Sequence, residues 1–151
     1  VTRTPVGDTY VSEELRKGGD FGGEPSGSWI FPSSLLCPDG IYAAARLAAI
    51  ASRQKLSQLV DSIPCYPLLR GSVNGKGVVI SHLKKRLLAM EPLSVSNVDG
   101  FKLNFEDGWL LIRESGTEPK IRITAEAKSE SRVHQLYDSA VKVIKECLKG
   151  K

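Results

Sequence analysis

The chain has 151 residues, of which 41% are hydrophobic and 25% charged, with a formal net charge of +4 and a pI near 9.0. Such a composition excludes disorder and fibrous architectures, and at this length roughly 70% of the unfolded surface is buried on folding, enough for a true core. No apolar run approaches the roughly 18 residues of a membrane span and no N-terminal apolar segment carries a cleavage pattern, so a soluble, cytoplasmic protein is expected.

Val1-Thr2-Arg3-Thr4-Pro5 lacks an initiator methionine and runs into Val6 to Val11, which reads as the end of one element and a turn. Ser12 is placed to cap a short helix through Glu13, Glu14, Leu15 and Arg16, closed by Gly18-Gly19. Residues 18 to 40 are rich in Gly, Pro and Ser, yet Phe21, Trp29, Ile30 and Phe31 lie among them. Aromatics seek packing, so an ordered segment is expected here and not a flexible tether. Inside it, Glu24 and Ser26 set a carboxylate beside a hydroxyl, which can bracket adjacent sugar hydroxyls. An ordinary tight turn between short strands accounts for the same residues equally well. Asp39 is a good N-cap for a helix through Ile41, Ala44, Ala45, Ala48 and Ala49 to about Arg53, whose small side chains suit packing against a sheet. Ser57 opens a second, short helix with Leu59, Val60 and Ile63 on one face, and Pro64 and Pro67 stop it. Residues 64–70 are the predicted hinge between two units.

Beyond the hinge the pattern predicts a strand around Leu68 to Val73, a turn at Asn74-Gly75-Lys76-Gly77, and a helix over about 78–90 with Val79, Leu83, Leu87 and Met90 inward. Asp99-Gly100 and Asp107-Gly108 are turn signals, with Phe101, Leu103 and Phe105 alternating between them, so Phe101 to Phe105 should pair with Gly108 to Arg113. Lys120 to Ala127 adds a further strand. Ser129 or Ser131 opens a last helix with Val133, Leu136, Tyr137, Ala140, Val141, Ile144 and Leu148 on one face. The expected class is α+β: about four antiparallel strands covered by two helices, preceded by the C-terminal part of an α/β domain. Cys37, Cys65 and Cys147 are far apart, with no C-x-x-C pair and no histidine at metal-ligand spacing, which fits reduced structural thiols.

Chemistry concentrates in Arg113-Glu114-Ser115-Gly116-Thr117-Glu118-Pro119-Lys120-Ile121-Arg122. Arg113 offers a planar fork of donors, Ser115 and Thr117 offer hydroxyls, and Gly116 lets a ligand oxygen approach the backbone N–H groups. Such a cluster suits a phosphate dianion, although Ser-Gly-Thr alone is as well explained by a strand connection. The basic pI leaves nucleic acid open as a partner, but the one tight basic run, Lys84-Lys85-Arg86, fits a solvated helix face.

The motif Arg-x-Ser-Gly-Thr-Glu-Pro at 113–119, with a second arginine in the following strand, resembles the substrate-phosphate loop in the last domain of the α-D-phosphohexomutases. Gly23-Glu24-Pro25-Ser26-Gly27 resembles that family's sugar-recognition loop, and Val6-Gly7-Asp8 a Gly-containing loop bordering the substrate. The resemblance implies that Glu24, Ser26 and Asp8 address the sugar, and that Arg113, Ser115, Gly116 and Thr117 grip the phosphate that does not react, assisted by Arg122. It further implies residues 1–63 as the end of a third, sugar-binding domain and 71–151 as a C-terminal phosphate-binding domain. The partners implied are a hexose phosphate or bisphosphate and the N-terminal domains of the same enzyme, with no nucleic acid and no membrane.

In this family a phosphoserine exchanges a phosphoryl group with the sugar between C1 and C6, aided by Mg2+. The chain contains neither a Ser-His-Asn type loop nor an Asp-x-Asp-x-Asp metal loop, so it reads as the C-terminal third of such an enzyme, with no catalytic residue and no metal ligand of its own. Ser28 stands where relatives often have histidine, and Pro25 occupies a slot that varies with the preferred sugar. A stand-alone phosphate- or nucleic-acid-binding module and a ligand-free structural domain are the competing readings.

Overall fold

A computed structural model describes residues 1–75 and 80–149, and the chain divides into two compact units, Val1–Pro64 and Cys65–Lys151. Taken by itself, the first unit is built from α1 (Asp8–Arg16), the short strands β1 (Gly22–Gly23), β2 (Trp29–Phe31) and β3 (Leu35–Pro38), then α2 (Gly40–Ala51) and α3 (Leu56–Asp61). The strands form an antiparallel sheet in the order β1-β2-β3.

The first helix begins earlier than the sequence suggests. Gly7, at φ 134°, takes the turn, its carbonyl accepts from the amides of Tyr10 and Val11, and Asp8 supplies the acid that the first turn favours. Ser12 therefore lies inside the helix and caps nothing; the signal was missed because Gly can replace a side-chain cap. Asp39 does cap α2, its Oδ1 accepting from the Tyr42 amide at 2.8 Å. Within the first unit Ala43 is the buried alanine of α2, whereas Ala44, Ala45, Ala48 and Ala49 are exposed, so the expected packing of those small side chains is not seen here. The aromatics do pack: Phe21 lies 5.1 Å from Phe31 and 6.3 Å from Trp29, and Phe31 lies 5.0 Å from Tyr42, all in tilted or edge geometries. Ile30, between Trp29 and Phe31 in β2 and so on the opposite face of the strand, is fully buried.

The second unit holds β4 (Leu68–Asn74), α4 (Ile80–Leu88), β5 (Ser94–Ser96), β6 (Phe101–Phe105), β7 (Gly108–Glu114), β8 (Lys120–Ala127) and α5 (Glu130–Lys149). The sheet has five strands in the order β4-β8-β7-β6-β5, all neighbours antiparallel, in keeping with the expected sheet of about four. At the edge lies β5, three residues joined to β6 through the Asp99-Gly100 turn and too short for a period of two to register on its own. Residues 68–70 belong to β4. Lys76 and Gly77 of the expected turn, and Val79 of the expected helix face, lie outside the described residues.

Helix α5 packs on β8, β4 and β7, and α4 packs on α5 and β7. Because side chains alternate across a strand, Phe101, Leu103, Leu110, Ile112, Ile121, Ile123, Ala125 and Ala127 all point to the helices. They meet Leu83, Leu87, Val133, Leu136, Ala140 and Ile144 in one buried cluster, where each large side chain contributes roughly 1.5–3 kcal/mol relative to exposure. The same alternation sends Arg113, Arg122, Arg70, Lys102 and Trp109 to the opposite face. Trp109 Nε1 donates to Glu126 Oε1 across the β7–β8 ladder at 2.9 Å, and the Lys102 ammonium sits 4.4 Å above its ring. Ser129 starts α5, its carbonyl accepting from Val133 and its hydroxyl from the Arg132 amide.

Candidate functional site

In the second unit the loop 115–119 joins β7 to β8. It is tied at its base, with the Ser115 amide donating to the Lys120 carbonyl at 2.9 Å and the Gly75 amide to the Pro119 carbonyl at 3.0 Å. Among the described residues the amides of Gly116, Thr117 and Glu118 donate to no backbone acceptor. A Cβ added at Gly116 would meet nothing within 4 Å, so packing does not demand glycine there.

Arg113 and Arg122 stand directly opposite each other in the β7–β8 ladder, on the face away from the core. Arg113 is half-buried and its Nη1 donates to Asp99 Oδ2 at 3.3 Å, while Arg122 is exposed. Ser115 Oγ is buried and has no hydrogen-bond partner. Thr117 is exposed at the loop tip. Lys120 Nζ binds Glu118 Oε1 at 2.9 Å, and that hydrogen bond and charge hold the Glu118 carboxyl below the usual carboxylate range. Two guanidiniums, an unsatisfied hydroxyl and three bare amides are the donor set that an oxyanion requires.

In the first unit the residues 24–27 form the tip of the β1–β2 hairpin. The Gly27 amide donates to the Glu24 carbonyl and the Glu24 amide to the Ser28 carbonyl, both at 3.0 Å, with Gly27 at φ 96°, which is a tight turn followed by a left-handed glycine. This turn lifts Ser26 into solvent. The Gly7 amide donates to Glu24 Oε1 at 2.7 Å, so the loop before α1 and the hairpin tip are locked together and Asp8 is brought beside Glu24 in the chain's course. Asp8 Oδ1 is buried without a partner. An open cleft of about 800 Å³ reaches Glu24, Pro25, Trp29 and Phe21 from the side of the N-terminal segment; Asp8 and Ser26 do not line it. Among the described residues the buried side-chain polar atoms left without a partner are Asp8 Oδ1, in the 6–8 segment, and Ser115 Oγ, in the 113–119 motif.

Residues 1–66 match a family model described as phosphoglucomutase/phosphomannomutase, alpha/beta/alpha domain III, and residues 73–143 match the C-terminal domain model of the same family. The chain belongs to the phosphoglucomutase/phosphomannomutase family. It is 46% identical to a probable phosphoglucosamine mutase of Methanosarcina acetivorans, covering 99% of this chain and 35% of that protein. With a phosphoglucosamine mutase of Methanococcus aeolicus it shares 40% identity, over 100% of this chain and 35% of that protein. A solved phosphoglucomutase/phosphomannomutase family protein of Burkholderia thailandensis superposes with a TM-score of 0.82 at 25% identity, covering 95% of this chain and 32% of that one. The chain thus spans about a third of the length of the curated relatives it matches.

The donor set of the 113–122 loop is unsuited to a divalent cation. Among the described residues no three His, Cys, Asp or Glu side chains cluster closely enough to hold a metal, and no helix is long and apolar enough to cross a membrane. The donors at 113–122 are cationic or N–H groups, which attract anions and repel cations.

One contact escaped the sequence reading: Asp99 was visible only as half of a turn signal, not as the partner of Arg113. The hairpin register would have revealed it, since pairing Phe101 with Ile112 sets the residues just before β6 beside Arg113.

Proposed function

We propose that this chain is the substrate-recognition part of a hexose-phosphate mutase, with residues 71–151 as a phosphate-binding domain, 1–63 as a sugar-binding part and 64–70 linking them. The observation that carries the proposal is the buried, unpartnered Ser115 Oγ in a loop flanked by Arg113 and Arg122. A buried hydroxyl left unsatisfied costs roughly 1–3 kcal/mol, and an oxyanion accepting from it removes that cost. Arg113, Ser115, Gly116 and Thr117 grip the phosphate that does not react, with Arg122 as second cation. Glu24, Ser26 and Asp8 address sugar hydroxyls, each carboxylate accepting from an O–H.

Positioning of this kind is what phosphoryl transfer asks of a protein. The phosphoserine and the Mg2+ ligands of the family's reaction belong to N-terminal domains outside this sequence, so the chain alone binds and does not turn over. The relatives' names favour a glucosamine phosphate among the hexose phosphates. Three unpaired cysteines, two of them exposed, support a reducing compartment such as the cytoplasm.

Calorimetric titration tests the proposal. Glucosamine 6-phosphate, glucose 6-phosphate and inorganic phosphate should each bind the chain once, the first most tightly, and Arg113→Ala should abolish all three. Binding of duplex DNA with a steep salt dependence, and no response to the sugar phosphates, would replace this reading with a nucleic-acid module.

A further inference from the structure

Arg113 carries its own anion. Its Nη1 donates to Asp99 Oδ2 at 3.3 Å, with about 29% of the arginine side chain and 33% of the aspartate exposed. The contact is enforced by the turn that holds Asp99. Gly100 sits at φ 88°, and a Cβ built on it would lie 2.5 Å from the Ile112 carbonyl oxygen and 2.6 Å from Arg113 Cβ. Only glycine lets the turn press against the Arg113 stem in this way, and the press sets the preceding carboxylate at the guanidinium. Arg122, opposite Arg113 in the ladder, makes no ion pair among the described residues. One cation of the pair is therefore matched by a direct ion pair, whereas Arg122 acts only at longer range, on the Glu118 carboxyl.

A carboxylate in that place has two opposing effects on an incoming phosphate. It limits the rotation of Arg113, which favours binding, and it adds a like charge beside the anion, which opposes it. The contact is single and long, so the orientation it imposes is weak. The charge acts regardless of geometry, and at a half-buried position it is screened less than at the surface. Repulsion is the larger effect.

We propose that Asp99 is a built-in counter-anion of the phosphate loop, occupying one edge of Arg113 when no ligand is present and holding phosphate affinity down. The proposal rests on the reading of residues 113–122 as a phosphate clamp. It supplies what that role needs, because a ligand that must leave and return between two half-reactions is served by a grip that is oriented but loose.

The test is calorimetric titration of inorganic phosphate into the wild-type chain, Asp99→Asn, Arg113→Ala and the double variant, at one fixed ionic strength. Asp99→Asn should bind phosphate about 3- to 30-fold more tightly. In the Arg113→Ala background the same change should recover little, because the edge that Asp99 blocks is gone. Tightening is a direction that damage to the fold does not produce, and Asp99→Ser serves should Asp99→Asn unfold. Equal or weaker binding by a folded Asp99 variant would overturn the proposal while leaving wild-type phosphate binding intact; absence of phosphate binding by the wild-type chain would overturn the clamp itself.

Discussion

Arg113 and Arg122 face each other across the β7–β8 ladder on the same side of the sheet, a like-charge pair that the fold sustains with Asp99 on only one of its members. Like charges directly opposite in a sheet destabilise it by about 0.2–1 kcal/mol. Replacing Arg122 by Thr, which suits a strand, should therefore leave the empty chain as stable or up to about 0.5 kcal/mol more stable. The cost should appear only with ligand. At phosphate near 100 times its Kd the wild-type second unit should gain about 2.7 kcal/mol, and Arg122→Thr should gain much less. Thermal unfolding with and without phosphate measures both; equal gains in the two proteins would remove Arg122 from the site.

Ser115 offers the same opposition within one residue. Its Oγ is buried with no partner, so Ser115→Ala removes a cost and should raise stability by about 0.5–1 kcal/mol. The same change takes away a charge-assisted hydrogen bond to phosphate, for a loss of about 10- to 100-fold in affinity. Denaturant unfolding and phosphate titration on one pair of proteins decide it. A variant that loses stability would mean the hydroxyl is satisfied within the fold.

Gly71, in β4, backs onto α5, where a Cβ would overlap Tyr137 Oη. Gly71→Ala should cost about 1–3 kcal/mol through overpacking. Because the Tyr137 hydroxyl is the atom in the way, Tyr137→Phe should cut that cost to about half or less when the two changes are combined. Urea unfolding of the four proteins in the cycle gives the coupling, and simple additivity would place the obstruction elsewhere.

What could be read from the chain and what could not follow from the range of the interactions involved. β6, β7 and β8 were legible because two-residue alternation and Asp-Gly turns act within a few residues. The donor content of 113–122 was legible because it is contiguous. The end of α1 was legible but its start was not, because Gly7 begins it through backbone conformation, leaving no capping side chain to see. The bounds of β5 were not legible, because an edge strand of three residues is defined by its partner β6 and not by its own pattern. The ion pair of Asp99 with Arg113 spans 14 residues and exists only once the hairpin register is set. The exposure of Ala44, Ala45, Ala48 and Ala49 depends on which elements surround α2, which composition cannot tell.

Glu24 ties the first unit together through the Gly7 amide and carries the proposed sugar contact, and the two roles are separable. Its Oε1 accepts from the Gly7 amide at 2.7 Å, and Gly7 in turn opens α1. Glu24→Ala strands that partly buried N–H, which should cost about 1–2 kcal/mol locally and speed hydrogen exchange of the Gly7 amide by about 5- to 30-fold. Glu24→Gln keeps an oxygen acceptor in place but removes the charge, so the Gly7 amide should stay largely protected. The ligand distinguishes the two roles further. A neutral amide accepts more weakly from a sugar hydroxyl than a carboxylate does, so Glu24→Gln should shrink the extra affinity of glucosamine 6-phosphate over inorganic phosphate while leaving inorganic phosphate itself unchanged. Exchange measured by NMR and the two titrations suffice. Weakening of both ligands together would mean that Glu24 acts through the fold alone, and an undiminished sugar increment would take it out of the sugar site.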